Sequence, residues 1–218
     1  MNRTASLALA LFFLAGCRAD APTGAKPSTD PGASLDLGAS LEMAGSGPTM
    51  PTVQAQLAQV RRVTARFHDL DAAMAAGYTV WAPDPSSGAC LSNATGNMGH
   101  HLINPALEDG NGGPDDPLDA DPNIDLLHPE RLLYEKRADG KMHLVGVEYL
   151  VLGVTWDAVH DDGDPTTPVP PPMLFGHPFV HSVHGHVGLP VPHYELHVWV
   201  WKANPNGMFA QFNPNVTC

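Results

Sequence analysis

The 218-residue chain carries 11 Lys and Arg against 23 Asp and Glu, a formal charge of −12 with His neutral. That balance excludes nucleic-acid binding through phosphates and makes cations the more natural partners. Hydrophobic residues form 43% of the chain, enough for one packed domain, while 21 Gly and 22 Pro demand many turns and long loops.

Arg3 opens the chain on a positive charge, and Leu7 to Leu14 follow as an apolar run too short to span a bilayer. The run ends in Leu14-Ala15-Gly16-Cys17, which resembles the lipobox of bacterial lipoprotein signal peptides. The resemblance implies removal of a signal peptide at 1–16, lipid on Cys17, and anchoring to the outer membrane, because Arg18 rather than Asp comes next. An ordinary secretory signal, giving a secreted protein, is the alternative. Residues 17–50 read as the lipidated Cys and a flexible tether, since the stretch is rich in Ala, Gly, Pro, Ser and Thr and holds no aromatic residue. Residues 51–218 read as a single globular domain.

Thr52 is an N-cap residue type, and Val53, Leu57, Val60, Phe67, Leu70 and Met74 then recur at helical spacing. One long helix is expected from there to Gly77, a good residue for the position after a helix. Tyr78-Thr79-Val80-Trp81 reads as a short strand. Cys90 and Cys218 lie in an oxidising compartment if the leader is secretory, so a disulfide between them is expected, with two thiolate metal ligands as the alternative.

Gly96-Asn97-Met98-Gly99-His100-His101 places a His pair between glycines and Asn104-Pro105, where a sharp bend would let both rings serve one site. Seven acidic residues between 108 and 125 supply oxygens of the kind calcium takes, but the spacing does not match an EF-hand, and a solvated loop is expected. Asp139-Gly140 marks a hairpin turn. The following segment, Lys141 to Leu152, is apolar on both faces apart from His143 and Glu148, as in a central strand. A carboxylate there is costly unless paired, so Glu148 is a metal ligand, a salt-bridge partner or a catalytic base. Residues 157–172 read as a polar Pro-rich loop, with Asp161-Asp162-Gly163-Asp164 as a turn.

His177, His181, His184 and His186 crowd a Gly- and Pro-rich loop just before His193-Tyr194-Glu195-Leu196-His197-Val198-Trp199-Val200-Trp201. This nine-residue run has the β-branched and aromatic content of a strand. Its alternation puts Tyr194, Leu196, Val198 and Val200 on a core face and His193, Glu195, His197, Trp199 and Trp201 on the other. Same-face residues recur every ~7 Å along a strand. Imidazole and carboxylate are the ligand set of zinc, copper, iron and manganese. A transition-metal site is therefore expected from His193, Glu195 and His197 with His101, His181 and His186, Glu148 being a candidate general base. Met208 to Phe212 read as a last strand paired to 194–201 through the Asn204-Pro205-Asn206-Gly207 turn.

Three blocks, 98–107, 144–149 and 193–218, together resemble a family of uncharacterised secreted bacterial proteins. The resemblance covers about residues 53–218 and implies a site at His101, Glu148, His193, Glu195 and His197, but no reaction. The His-x-Glu-x-His order partly resembles cupins as well, without their His-x-His followed by Glu. It does not match the helical zinc-protease motif.

The expected fold is α+β: a long N-terminal helix on a curved antiparallel sheet, possibly barrel-like, with His-bearing loops at one end. The expected function is a cell-envelope lipoprotein that binds a transition metal. The alternatives are a metal-dependent hydrolase or oxygenase, and a metal-free ligand-binding or structural lipoprotein.

Overall fold

In the computed structural model the described residues are 51–108, 122–186 and 188–218. The leader, Cys17, the tether and most of the acidic 108–125 stretch lie outside them.

Helix α1 runs over Val53–Thr64, and the Thr52 hydroxyl caps it by accepting from the Ala55 N–H. Leu57 and Val60 are buried on its inner face. The expected long helix does not continue. A 3₁₀ turn, Ala65–His68, follows, and α2 restarts at Leu70–Ala75 with the Asp69 carboxylate accepting from Asp71 N–H. Asp69 competes with the helix for backbone donors, as short polar side chains do. The break lets Phe67 enter the core and its carbonyl accept from the Tyr134 hydroxyl at 2.6 Å.

The chain then lays down β1 (Val80–Ala82), β2 (Leu91–Asn93), β3 (Gly96–Ile103), the short helix α3 (Pro105–Glu108), β4 (Arg131–Lys136) and β5 (Met142–Leu152). Helix α4 (Gly153–His160), the small strands β6 (Met173–Leu174), β7 (His177–Pro178) and β8 (Val180–Ser182), and β9 (His193–Val198) complete the order. The architecture is α+β. The main sheet runs β1-β3-β4-β5-β9-β8, antiparallel at every pairing, with β2 also paired to β3. β1 and β8 end it, so the sheet of the described residues is open and not a closed barrel.

Leu102, Leu132, Val147, Tyr149, Val151, Tyr194, Leu196 and Val198 share one face and pack with Leu57, Val60 and Phe67 into the main core. The Asp139-Gly140 hairpin forms as expected between β4 and β5, with Gly140 at φ 78° donating to the Arg137 carbonyl.

Four expectations are corrected. The 157–172 stretch is not wholly loop, because α4 runs straight on from β5 through His160. His100 and His101 lie within β3 rather than at a bend. β9 stops at Val198, so Trp199 keeps to the His face while Trp201 turns to the helix side, its indole N–H donating to Thr64 at 3.1 Å. Residues 208–212 form no strand. Their carbonyls still serve this region: Met208 accepts from the Trp199 backbone N–H, and Ala210 accepts from the Trp199 indole at 2.6 Å. Cys90 and Cys218 stand as a disulfide pair, Cα–Cα 5.6 Å, which ties the C-terminus beside β2.

Candidate metal centre

The face opposite the core carries the chemistry. Register places Glu148 directly across from both Arg131 on β4 and His197 on β9, with His101 on β3 two residues from Ile103, the partner of Arg131. His193 and Glu195 lie further along the same face of β9, opposite Ser182 and Val180 of β8. Two groups result, each of two imidazoles and one carboxylate whose ligand atoms all lie within 4.8 Å of one another: His101, Glu148 and His197, and His186, His193 and Glu195.

In the first group His101 Nε2 is 3.4 Å from His197 Nε2 and 3.2 Å from Glu148 Oε2. All three residues are at most 1% exposed. In the second, His193 Nε2 is 3.2 Å from His186 Nε2 and 3.7 Å from Glu195 Oε2, which lies 3.4 Å from His186 Nε2. Ligand atoms about 2.1 Å from one ion stand about 3.0 Å apart at right angles and about 3.4 Å apart at tetrahedral angles. Both groups therefore need only small adjustments to enclose an ion.

Hydrogen bonding alone could also give such distances, and the other ring nitrogens bear on the choice. A backbone carbonyl only accepts. His101 Nδ1, 3.2 Å from the Ala82 carbonyl, and His193 Nδ1, 2.8 Å from that of Val191, must therefore carry the protons. In the neutral rings each Nε2 is then a lone pair, aimed at another nitrogen and at a carboxylate oxygen. This is how imidazoles are oriented toward a cation by a backbone partner. Burial, with His197 and Arg131 nearby, keeps the His101 pKa well below the usual value, so its ring stays neutral. Burial likewise pushes His197 down to about 4. Neither Glu148 oxygen nor His197 Nδ1 has a hydrogen-bond partner. Buried polar atoms seldom go unpaired.

The carboxylates are held differently. Burial pushes Glu148 well above the usual carboxylate range, against the pull of Arg131, whose Nη1 is 3.7 Å from Oε1. In the metal-free chain one proton, on Glu148 or on His197 Nε2, has to stand where the three ligand atoms meet. Burial also favours the protonated form of Glu195, but its interactions with His186, His193 and His197 outweigh it and bring its pKa far below the usual range. Its Oε1 accepts from the Ser182 hydroxyl at 3.0 Å and the Gln211 amide at 2.6 Å, which leaves Oε2 turned to the imidazoles.

Of the expected ligands, His101, His186, His193, Glu195 and His197 come together, and Glu148 joins them as a ligand-type residue. Glu148, also read from the sequence as a candidate general base, has its carboxylate among these ligand-type atoms. His181 joins neither group: it pairs with Tyr194 and stacks on that ring at 4.1 Å, on the core side of β9. His177 packs on Phe209, and His184 is exposed. Supporting residues outside the expected site are Arg131, Glu108, Ser182 and Gln211. Arg131 is 1% exposed and makes two 2.7 Å hydrogen bonds to Glu108. An arginine within the otherwise apolar Arg131-Leu132-Leu133-Tyr134 strand was its sequence signal; Ser182 and Gln211 had none.

A cavity of about 320 Å³ lined by Met98, Ser182, His186, Glu195, Gln211 and Phe212 adjoins the second group. Among the described residues no helix is long and apolar enough to cross a membrane. The fold and site define an α+β protein with buried His and Glu groups able to hold a metal ion. Compared with protein-family models, curated proteins and solved structures, the chain matches none.

Proposed function

We propose that this is a cell-envelope lipoprotein that binds a transition metal ion on the His/Glu face of its sheet. The convergence of His101 Nε2, His197 Nε2 and Glu148 Oε2, with the His101 tautomer set by the Ala82 carbonyl, carries the metal reading. Two imidazoles and one carboxylate suit zinc and non-haem iron equally, and manganese or copper within the same donor set. The lipid anchor rests on Leu14-Ala15-Gly16-Cys17. It is tested by palmitate labelling of the wild type and a Cys17→Ser variant.

A metal-dependent hydrolase or oxygenase is the second reading, favoured by one observation. The cavity reaches Glu195 and His186, so an ion held there would meet small molecules from solvent. In that reading the ion activates water or oxygen, and Glu148 acts as ligand rather than base.

Thermal unfolding with and without metal tests the binding. Stoichiometric zinc, iron(II), manganese or copper raises the Tm of the metal-free full chain by several degrees, since a ligand that binds only the folded state stabilises it. A His101→Ala/His197→Ala variant that folds shows less of that rise. No rise with any of the four metals contradicts the reading.

A further inference from the structure

The two groups are neighbours on one face of the sheet. They share β9, where His197, Glu195 and His193 alternate on one face. Glu148, a ligand of the first group, pairs with His197, and Leu150, two residues on, pairs with Glu195. Glu148 and Glu195 are thus diagonal neighbours across one strand pair, within reach of each other's side chains. Glu195 is near enough to be one of the groups that raise the Glu148 pKa.

The geometry points to a two-ion centre: one ion held by His101, His197 and Glu148, a second by His186, His193 and Glu195, joined through the Glu148–Glu195 carboxylate pair. This rests on the metal reading above and deepens it.

Three observations support pairing over a single ion. Each group has its own two imidazoles, and one imidazole in each is oriented by a backbone carbonyl through Nδ1. Each also has a carboxylate that turns an oxygen to those imidazoles. Finally, Glu148 and Glu195 are diagonal neighbours on one face, a placement from which a carboxylate can reach between paired ions, whose metals stand about 3.5–4 Å apart.

The two positions differ in access. The first is sealed, whereas His186 is a quarter exposed beside the cavity. Two dications exceed the charge of Glu148 and Glu195, because Arg131 already balances Glu108. The excess favours hydroxide or an anionic ligand group, such as a carboxylate or phosphate, entering from the cavity beside the second ion.

The test loads the metal-free full chain with cobalt(II), removes unbound ion by gel filtration, and measures cobalt per chain and the X-ray absorption fine structure. Two ions per chain with a cobalt–cobalt distance of about 3.5–4 Å is the expected result. His186→Ala, a change at a partly exposed loop residue, should keep the fold and hold one ion without the metal–metal signal. One ion in the wild type, with His186→Ala equal to it, overturns the two-ion centre but leaves metal binding standing. Two ions with no metal–metal signal overturns the pairing. No cobalt in either protein overturns the metal reading itself.

Discussion

His101 and His197 meet through their Nε2 atoms, 3.4 Å apart, although two whole strands, β4 and β5, separate β3 from β9. Strands spaced about 4.8 Å apart would put the two backbones about 14 Å from each other in a flat sheet. The two side chains therefore have to reach across β4 and β5 to meet on this face. Glu148, on β5 between them, completes the group.

Loading the first position should expel a proton. Burial raises the Glu148 pKa well above the usual carboxylate range, which favours the protonated form in the metal-free group. Since the ion takes a deprotonated ligand, binding strengthens as pH rises. Calorimetry of zinc binding in buffers of different ionisation enthalpy should show about one proton released for this ion. Glu148→Gln should lower both the release and the affinity. Buffer-independent heats would contradict this.

Arg131 should be indispensable for stability. It hydrogen-bonds Glu108 through two nitrogens and lies beside Glu148, all away from water. Arg131→Met leaves buried carboxylates uncompensated, which costs about 3–5 kcal/mol. Urea denaturation measures the loss, and a change under about 1 kcal/mol would show that the carboxylates escape to solvent.

Glu130 should set a slope of stability with pH. Burial is the main cause of its rise to about 8, and its Oε2 accepts from the Leu150 N–H at 3.0 Å. A carboxyl raised in the folded state binds more protons there than in the unfolded chain. Its contribution is complete below the usual carboxylate pKa and is lost as pH climbs to about 8. Glu130→Gln keeps the acceptor without the charge. It should flatten the fall between pH 5 and 8 and be the more stable protein at pH 8. Parallel urea-stability profiles for the two proteins would contradict the assignment.

Reduction of the Cys90–Cys218 pair should destabilise the domain without emptying the metal site. The bridge spans 128 residues, and neither cysteine belongs to either His/Glu group. Closing so long a loop constrains the unfolded chain by about 4–5 kcal/mol. Cys218→Ser should lower the urea midpoint accordingly while metal content stays unchanged. Loss of metal in a folded variant would implicate the thiols as ligands.

Much of the centre was legible because a strand has a period of two. Once 193–198 is read as β, the parity that buries Tyr194, Leu196 and Val198 also lines up His193, Glu195 and His197. Glu148 was visible as a lone acid in an apolar strand. The division of these residues into two groups was not legible, since it depends on the register of β5 against β9 and on His101 reaching His197 across two strands. His181 misled for a local reason: one position in β8 separates it from Ser182, and that single step moves a side chain to the opposite face. The N-terminal helix misled because its apolar spacing continues through Phe67 and Leu70, while the Asp69 cap that interrupts it is a three-dimensional choice. The absent last strand follows from Gly207 and Ala210, whose N–H groups go to turn bonds with Asn204 and Gly207, while Asn213 makes a single bridge to Asn97.

The most direct measurement is the metal content of the full chain, purified without a His-tag or chelator, beside a His193→Ala/His197→Ala variant checked by circular dichroism. The account predicts near-stoichiometric transition metal in the wild type, one or two ions per chain, and a marked loss in the folded variant. Metal-free protein in both, persisting after incubation with zinc, copper, iron and manganese salts, would contradict it and leave the His/Glu face as a hydrogen-bonded polar layer.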